Sequence, residues 1–128
     1  MNQKRLFLYG TLKRGLSNHS LVRGQRFAGE ARTVPEFRLV DVGGYPALVR
    51  ANVDPLSVVG EVWEVDLDCL IRLDRFEGLH VGLYTRQPVP LLPPFDREII
   101  DAYFYLGTTD GLPDCGGNWT EITCRSPR

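Results

Sequence analysis

The chain has 128 residues, 43% of them hydrophobic, with 15 Lys and Arg against 16 Asp and Glu and a formal net charge of -1. That length and apolar fraction suit one compact domain over residues 1–128 with a closed core. The charge balance offers no basic field for nucleic acid or an anionic membrane, so neither is an expected partner.

The N-terminal apolar run, Leu6 to Tyr9, stops at Gly10. It is too short for a signal-peptide core or a bilayer span, so the expected location is cytoplasmic, with reduced thiols. Residues 5–9 read as a buried strand feeding a loop, Gly10-Thr11-Leu12-Lys13-Arg14-Gly15. Ser17-Asn18-His19-Ser20 sets capping residues ahead of Leu21 and Val22, which predicts a short helix over 17–23. Strands follow at 26–34 and 37–42, broken at Pro35, then a Gly43-Gly44 turn and a strand at 46–50. Residues 58–65 are rich in β-branched and aromatic side chains and form the next strand.

A helix is expected from Asp66, its N-cap, to Gly78, its stop, with Leu67, Leu70, Ile71 and Leu73 as its core stripe. Strands at 84–89 and 99–106 flank a proline-punctuated loop, and the tail after them is rich in Gly, Asp and Pro. The Pro90-x-x-Pro93 segment in that loop reads as plain surface loop before it reads as a docking motif. Many strands, few helices and no regular alternation predict an α+β fold: a mixed, curved or barrel-like β-sheet with a few short helices.

Cys69, Cys115 and Cys124 contain no CxxC pair and read as three free thiols. A bridge between Cys115 and Cys124 would need an oxidising compartment that nothing else in the sequence supports. Thiol catalysis would need a base from His19 or His80, and no Cys-His-acid set is evident. Glu77 and His80 are three apart with Gly78 between them, and no third ligand is visible, so no metal site is expected. His19, beside Asn18, reads as packing or capping the short helix.

Glu77 carries more information. On a helix it falls on the side of Leu67, Leu70 and Ile71, as does Asp74, although Asp68, Arg72 and Arg75 supply charge elsewhere on the wheel. An inward carboxylate costs desolvation unless it is paired or keeps a proton, and the raised pKa that results suits a general base near neutrality. Two plainer alternatives stand beside this: Glu77 reaching water past Leu73, or pairing with an arginine such as Arg86. Asp74 reads as structural. Tyr9-Gly10-Thr11-Leu12 is the second feature, since a strand ending in Gly lets a backbone approach a ligand and free amides in the turn face an anion. It is not a phosphate loop, because the GxxxxGK[ST] pattern is absent.

Taken together, Tyr9-Gly10-Thr11-Leu12-Lys13-Arg14-Gly15 with Asn18-His19, Gly44-Tyr45-Pro46-Ala47-Leu48, and Leu73-Asp74-Arg75-Phe76-Glu77-Gly78 followed by Tyr84-x-Arg86 resemble the γ-glutamylcyclotransferase-like family. Order and spacing match from Leu6 to about Leu106, and the first motif is most similar to the γ-glutamylamine cyclotransferase branch and its small bacterial relatives. The resemblance implies a mixed α/β fold with a small barrel, a substrate loop at Tyr9 to Leu12 and a catalytic Glu77. It implies a small γ-glutamyl substrate whose own α-amino group attacks its γ-carbonyl, releasing 5-oxoproline and a free amine or amino acid, with no metal or organic cofactor. Glu77 would act as general acid and base, the Gly10-Thr11-Leu12 amides would face the carboxylate or oxyanion, and Tyr84, then Tyr45 and Tyr105, would orient Glu77 or the substrate. Residues 88–96 and the tail after Gly107 depart from the amine-specific branch, which leaves the leaving group open. The alternative is a non-catalytic small-molecule-binding or interaction module on the same fold.

Overall fold

The computed structural model describes residues 3–120. Its strands are β1 (Gln3–Leu8), β2 (Arg26–Arg32), β3 (Phe37–Asp41), β4 (Pro46–Arg50), β5 (Val59–Asp66), β6 (Tyr84–Pro88), β7 (Asp101–Tyr105) and β8 (Asp114–Gly116). One helix, α1 (Leu67–Phe76), and 3-10 turns at His19–Val22 and Leu79–Val81 complete the described elements. The strands form a single mixed sheet in the order β2-β5-β1-β7-β4-β3-β8, with β6 paired to β7. This curled, half-barrel sheet with one short helix agrees with the α+β expectation.

β1 is buried on both faces. Leu6 and Leu8 point into a cluster with Trp63, Val65, Cys69, Leu73, Tyr84 and Tyr103 under α1, while Phe7 and Tyr9 point into a second cluster with Phe37, Leu48, Val62 and Ile100. Covering on both sides is why the strand reads as a continuous apolar run instead of an alternating one.

The sheet's useful irregularity lies at β7. β6 pairs antiparallel along all of β7, from Pro88↔Asp101 to Tyr84↔Tyr105. The opposite edge is shared by two parallel strands: β1 at Leu6↔Asp101 and β4 at Leu48↔Phe104. A strand edge holds one neighbour at a time, so β1 leaves β7 after Leu6 as β4 takes its place. The end of β1 and the start of β4 therefore meet at a split in the sheet. Gly10 lies against Pro46 there so closely that a Cβ on residue 10 would sit 2.6 Å from the proline Cγ.

Several sequence-based expectations need correction. The helix predicted over 17–23 is a 3-10 turn, and the Asn18 side chain does not cap it. The apolar stripe of α1 is only half as expected: Leu73 is buried and Leu70 packs half-buried against the same cluster, but Leu67 and Ile71 are 50% and 54% exposed and Cys69 takes their place on the inner face. The helix is turned by roughly 100°, one residue's increment at 3.6 per turn, because the sheet meets it on the Cys69 side. Glu77 continues the i, i+4 line from Cys69 and Leu73, so it faces inward in either orientation. β8 lies in the segment read as irregular tail and pairs with β3. Cys69 is a buried free thiol but Cys115 is disulfide-bonded, so the free-thiol reading fails at Cys115. Cys124 lies outside the described residues. The Pro90-x-x-Pro93 loop is tied down, with the Val34 amide donating to the Pro90 carbonyl and Val89, Leu91 and Phe95 buried in the core.

Candidate active site

The split opens a cavity of about 360 Å³ between the end of β1, the turn before β4, the end of α1 and the paired strands β6 and β7. Tyr9, Gly10, Thr11, Leu12, Tyr45, Glu77 and Tyr84 all line it. Tyr105 does not; it packs edge-on against Tyr84, ring centroids 5.3 Å apart, and supports that ring from behind. Tyr103, Asn18, Pro46 and Phe76 line the cavity and were not anticipated. Tyr103 shares a strand face with Tyr105 by the two-residue period, which is the signal that would have found it.

Glu77 sits just past the last turn of α1, its amide donating to the Leu73 carbonyl at 2.8 Å. Gly78 follows with φ 75, the left-handed stop that the sequence predicted. The Glu77 carboxylate makes no hydrogen bond or ion pair among the described residues. Burial, with a smaller contribution from Asp74 one turn earlier, pushes its pKa up to about 7. The arginine alternative is settled by geometry. Arg86 clasps Asp74 instead, Nε to Oδ1 at 2.9 Å and Nη2 to Oδ2 at 3.1 Å, and its Nη1 reaches Asp101 at 3.1 Å. Lys4 completes this chain of charges at 3.0 Å from Asp101.

The tyrosines have committed their protons. Tyr84 donates its hydroxyl to the Pro46 carbonyl at 2.9 Å, Tyr103 to Asp74 at 2.7 Å and Tyr9 to the Tyr103 carbonyl. Burial raises the pKa of all three, and the Glu77 charge adds to it, so they stay neutral. What their oxygens have left to offer are lone pairs, which suit a cationic guest.

Facing Glu77 is the Gly10–Gly15 loop. The amides of Gly10, Thr11 and Leu12 meet no acceptor among the described residues, while the rest of the loop is anchored from several sides. Asn18 donates through Nδ2 to Thr11 Oγ1 at 3.0 Å, and its amide donates to the Thr11 carbonyl at 2.9 Å. His19 Nδ1 lies 2.9 Å from the Leu12 carbonyl, with its ring against Trp63. Lys13, nearly buried, donates to the Trp119 carbonyl at 2.9 Å. Glu61 accepts from the Arg14 amide at 3.0 Å, from Arg14 Nε at 3.1 Å and from Trp63 Nε1 at 3.0 Å. Burial alone would raise the Glu61 pKa, but those hydrogen bonds outweigh it and hold the group below the usual carboxylate range. His19 is thus an anchor of the loop. His80 is exposed on the turn after Gly78, and no three His, Cys, Asp or Glu side chains gather to hold a metal among the described residues.

An unpaired carboxylate near its pKa at neutral pH, phenolic acceptors and a row of free amides across a small cavity can hold a zwitterionic head group and exchange a proton with it. The family model described as gamma-glutamyl cyclotransferase, AIG2-like, matches residues 6–121. A Vibrio cholerae protein whose γ-glutamylcyclotransferase name is provisional is 36% identical over 119 residues, 93% of this chain and 97% of that protein. A Rattus norvegicus γ-glutamylaminecyclotransferase is 41% identical over 80 residues, 57% of this chain and 54% of that one. The crystal structure of an AIG2-like protein from Mus musculus superposes with a TM-score of 0.78 at 30% identity, covering 94% of this chain and 90% of that chain.

Proposed function

The chain belongs to the γ-glutamyl cyclotransferase, AIG2-like family, and from that membership we propose that it cyclises a γ-glutamyl compound to 5-oxoproline, with Glu77 as general acid and base. The observation that carries the reading is the Glu77 carboxylate, inward, unpaired and raised to about 7, in one cavity with the free amides of Gly10, Thr11 and Leu12.

The substrate's α-ammonium enters among Glu77 and the oxygens of Tyr9, Tyr84 and Tyr103. Glu77 removes one proton. The nitrogen lone pair then attacks the γ-carbonyl carbon and closes a five-membered ring, a step for which the enzyme supplies orientation and no nucleophile. Amides of the loop face the oxyanion of the tetrahedral intermediate or the substrate's carboxylate. Glu77 hands its proton to the departing nitrogen as the C–N bond breaks, and the freed carboxylate accepts the ring nitrogen's surplus proton.

Glu77→Gln keeps the side chain's shape and removes the base. Release of 5-oxoproline from γ-glutamyl amides and amino acids, followed by chromatography, should fall by at least the ~10²-fold typical of losing a general base. Binding, followed by calorimetry, should persist. A folded Glu77→Gln protein that binds a γ-glutamyl ligand and turns it over at the original rate sinks the mechanism.

A further inference from the structure

Asn18 stands at the head of the 3-10 turn, where an asparagine side chain ordinarily accepts from a backbone amide, yet it makes no such bond. Its side chain is committed across the loop instead. Nδ2 donates to Thr11 Oγ1 at 3.0 Å and the Asn18 amide donates to the Thr11 carbonyl at 2.9 Å, so one residue grips Thr11 at both side chain and backbone. Both residues line the cavity that holds Glu77, Thr11 buried and Asn18 half-buried.

The polarity of that contact decides what Thr11 offers. A hydroxyl has one proton to give and two lone pairs to receive with. Asn18 Nδ2 occupies a lone pair, so the Thr11 proton points elsewhere, and it meets no acceptor among the described residues. Other side-chain protons are spoken for. Tyr9, Tyr84 and Tyr103 donate to the protein itself, Ser17 is partnered, and Tyr45 stands partly in water at the rim. Among the described residues the lining also has no Lys, Arg or His to take the charge of a carboxylate. A carboxylate drawn out of water here must be met by neutral donors. On the γ-glutamyl reading the substrate's head carries one, on the same carbon as its α-ammonium. The Glu77 charge and the phenolic lone pairs repel it, which leaves the loop side of the cavity, where the Thr11 proton stands among the free amides.

We propose that Asn18 is a positioning residue for substrate binding: by donating to Thr11 Oγ1 it directs that hydroxyl's proton at the α-carboxylate of the γ-glutamyl head. The inference rests on the γ-glutamyl reading above, and its test uses ligands that need no turnover. 5-Oxoproline and 2-pyrrolidinone are the same ring with and without the carboxylate. Both are titrated, followed by NMR, into the wild-type protein, Thr11→Val, Asn18→Leu, Asn18→Ala and the double variant Thr11→Val with Asn18→Leu, each checked for folding by its melting curve. Thr11→Val should weaken 5-oxoproline binding roughly 10- to 100-fold, the loss of one hydrogen bond to a charged group, and leave 2-pyrrolidinone unchanged. Asn18→Leu and Asn18→Ala should weaken 5-oxoproline by a smaller factor, because a freed hydroxyl still reaches the carboxylate in part of its rotation. In the Thr11→Val background Asn18→Leu should add nothing. An Asn18 that merely braces the loop would weaken both ligands alike and add its full effect to Thr11→Val. Either result overturns the inference, as does 5-oxoproline binding at wild-type strength in the Asn18 variants. The expected pattern in a protein that releases no 5-oxoproline from any γ-glutamyl compound upholds the positioning role and overturns the catalytic reading. A wild-type protein that does not bind 5-oxoproline overturns both.

Discussion

Glu77 is a group that the fold destabilises when it is charged, and that has a measurable signature. Its pKa in the folded protein, about 7, lies above the ordinary 4.5. Stability linked to this group is fully present below the unfolded value and is lost as pH rises through the folded one. The loss is on the order of 3 kcal/mol by the standard conversion of pKa shift to free energy. Glu77→Gln lacks this titration, so its melting temperature should match wild type below about pH 4.5 and exceed it above about pH 7; a variant less stable at neutral pH would mean a hidden charge partner. Arg86 acts on the same carboxylate at one remove, because it neutralises Asp74, whose charge raises the Glu77 pKa. Arg86→Gln strips the charge-assisted bonds from Asp74 and Asp101 and should cost roughly 1.5–3 kcal/mol in urea titrations. It should also move the acid limb of the kcat/KM profile to higher pH, because Asp74 then stands uncompensated beside Glu77. A profile that stays in place would leave Arg86 with a purely structural role.

The loop from Gly10 to Gly15 owes its shape to other elements more than to its own residues. Gly10 permits the approach to Pro46, but Asn18 and His19 at the start of the 3-10 turn, Glu61 on β5 and the Trp119 carbonyl hold the chain in place. Glu61 holds its two acceptor atoms against three donors, and as its folded pKa is depressed, its stabilisation is present at neutral pH and lost as pH falls through the folded value. Glu61→Gln should therefore lower stability at pH 7 by about 1–2 kcal/mol, with the difference shrinking in acid. On the proposed mechanism, loosening this loop should raise KM more than it lowers kcat; an unchanged KM would show that the amides keep their positions without the clamp. The loop motif was legible because a glycine at a strand end marks close approach. Its anchors were not, because Glu61 is 47 residues away from Arg14 in sequence.

Across the whole molecule, the cavity exists because β1 and β4 share one edge of β7, and that sharing is a matter of topology. The chain's own order of residues determined the α+β class, most strand positions, the Asp66 cap and Gly78 stop of α1, and Glu77 and Tyr9 to Leu12 as the residues to watch. Each of these follows from periodicity, capping or glycine stereochemistry, which act over a few residues. Tertiary structure decided the rest. It turned α1 so that Cys69 and Leu73 face the sheet, gave Arg86 to Asp74 and left Glu77 unpaired, and brought Tyr103 into the cavity while leaving Tyr105 behind Tyr84. It also paired β8 with β3. These outcomes depend on which distant strand arrives beside a residue, and a pairing over many residues leaves no trace in the local pattern of side chains.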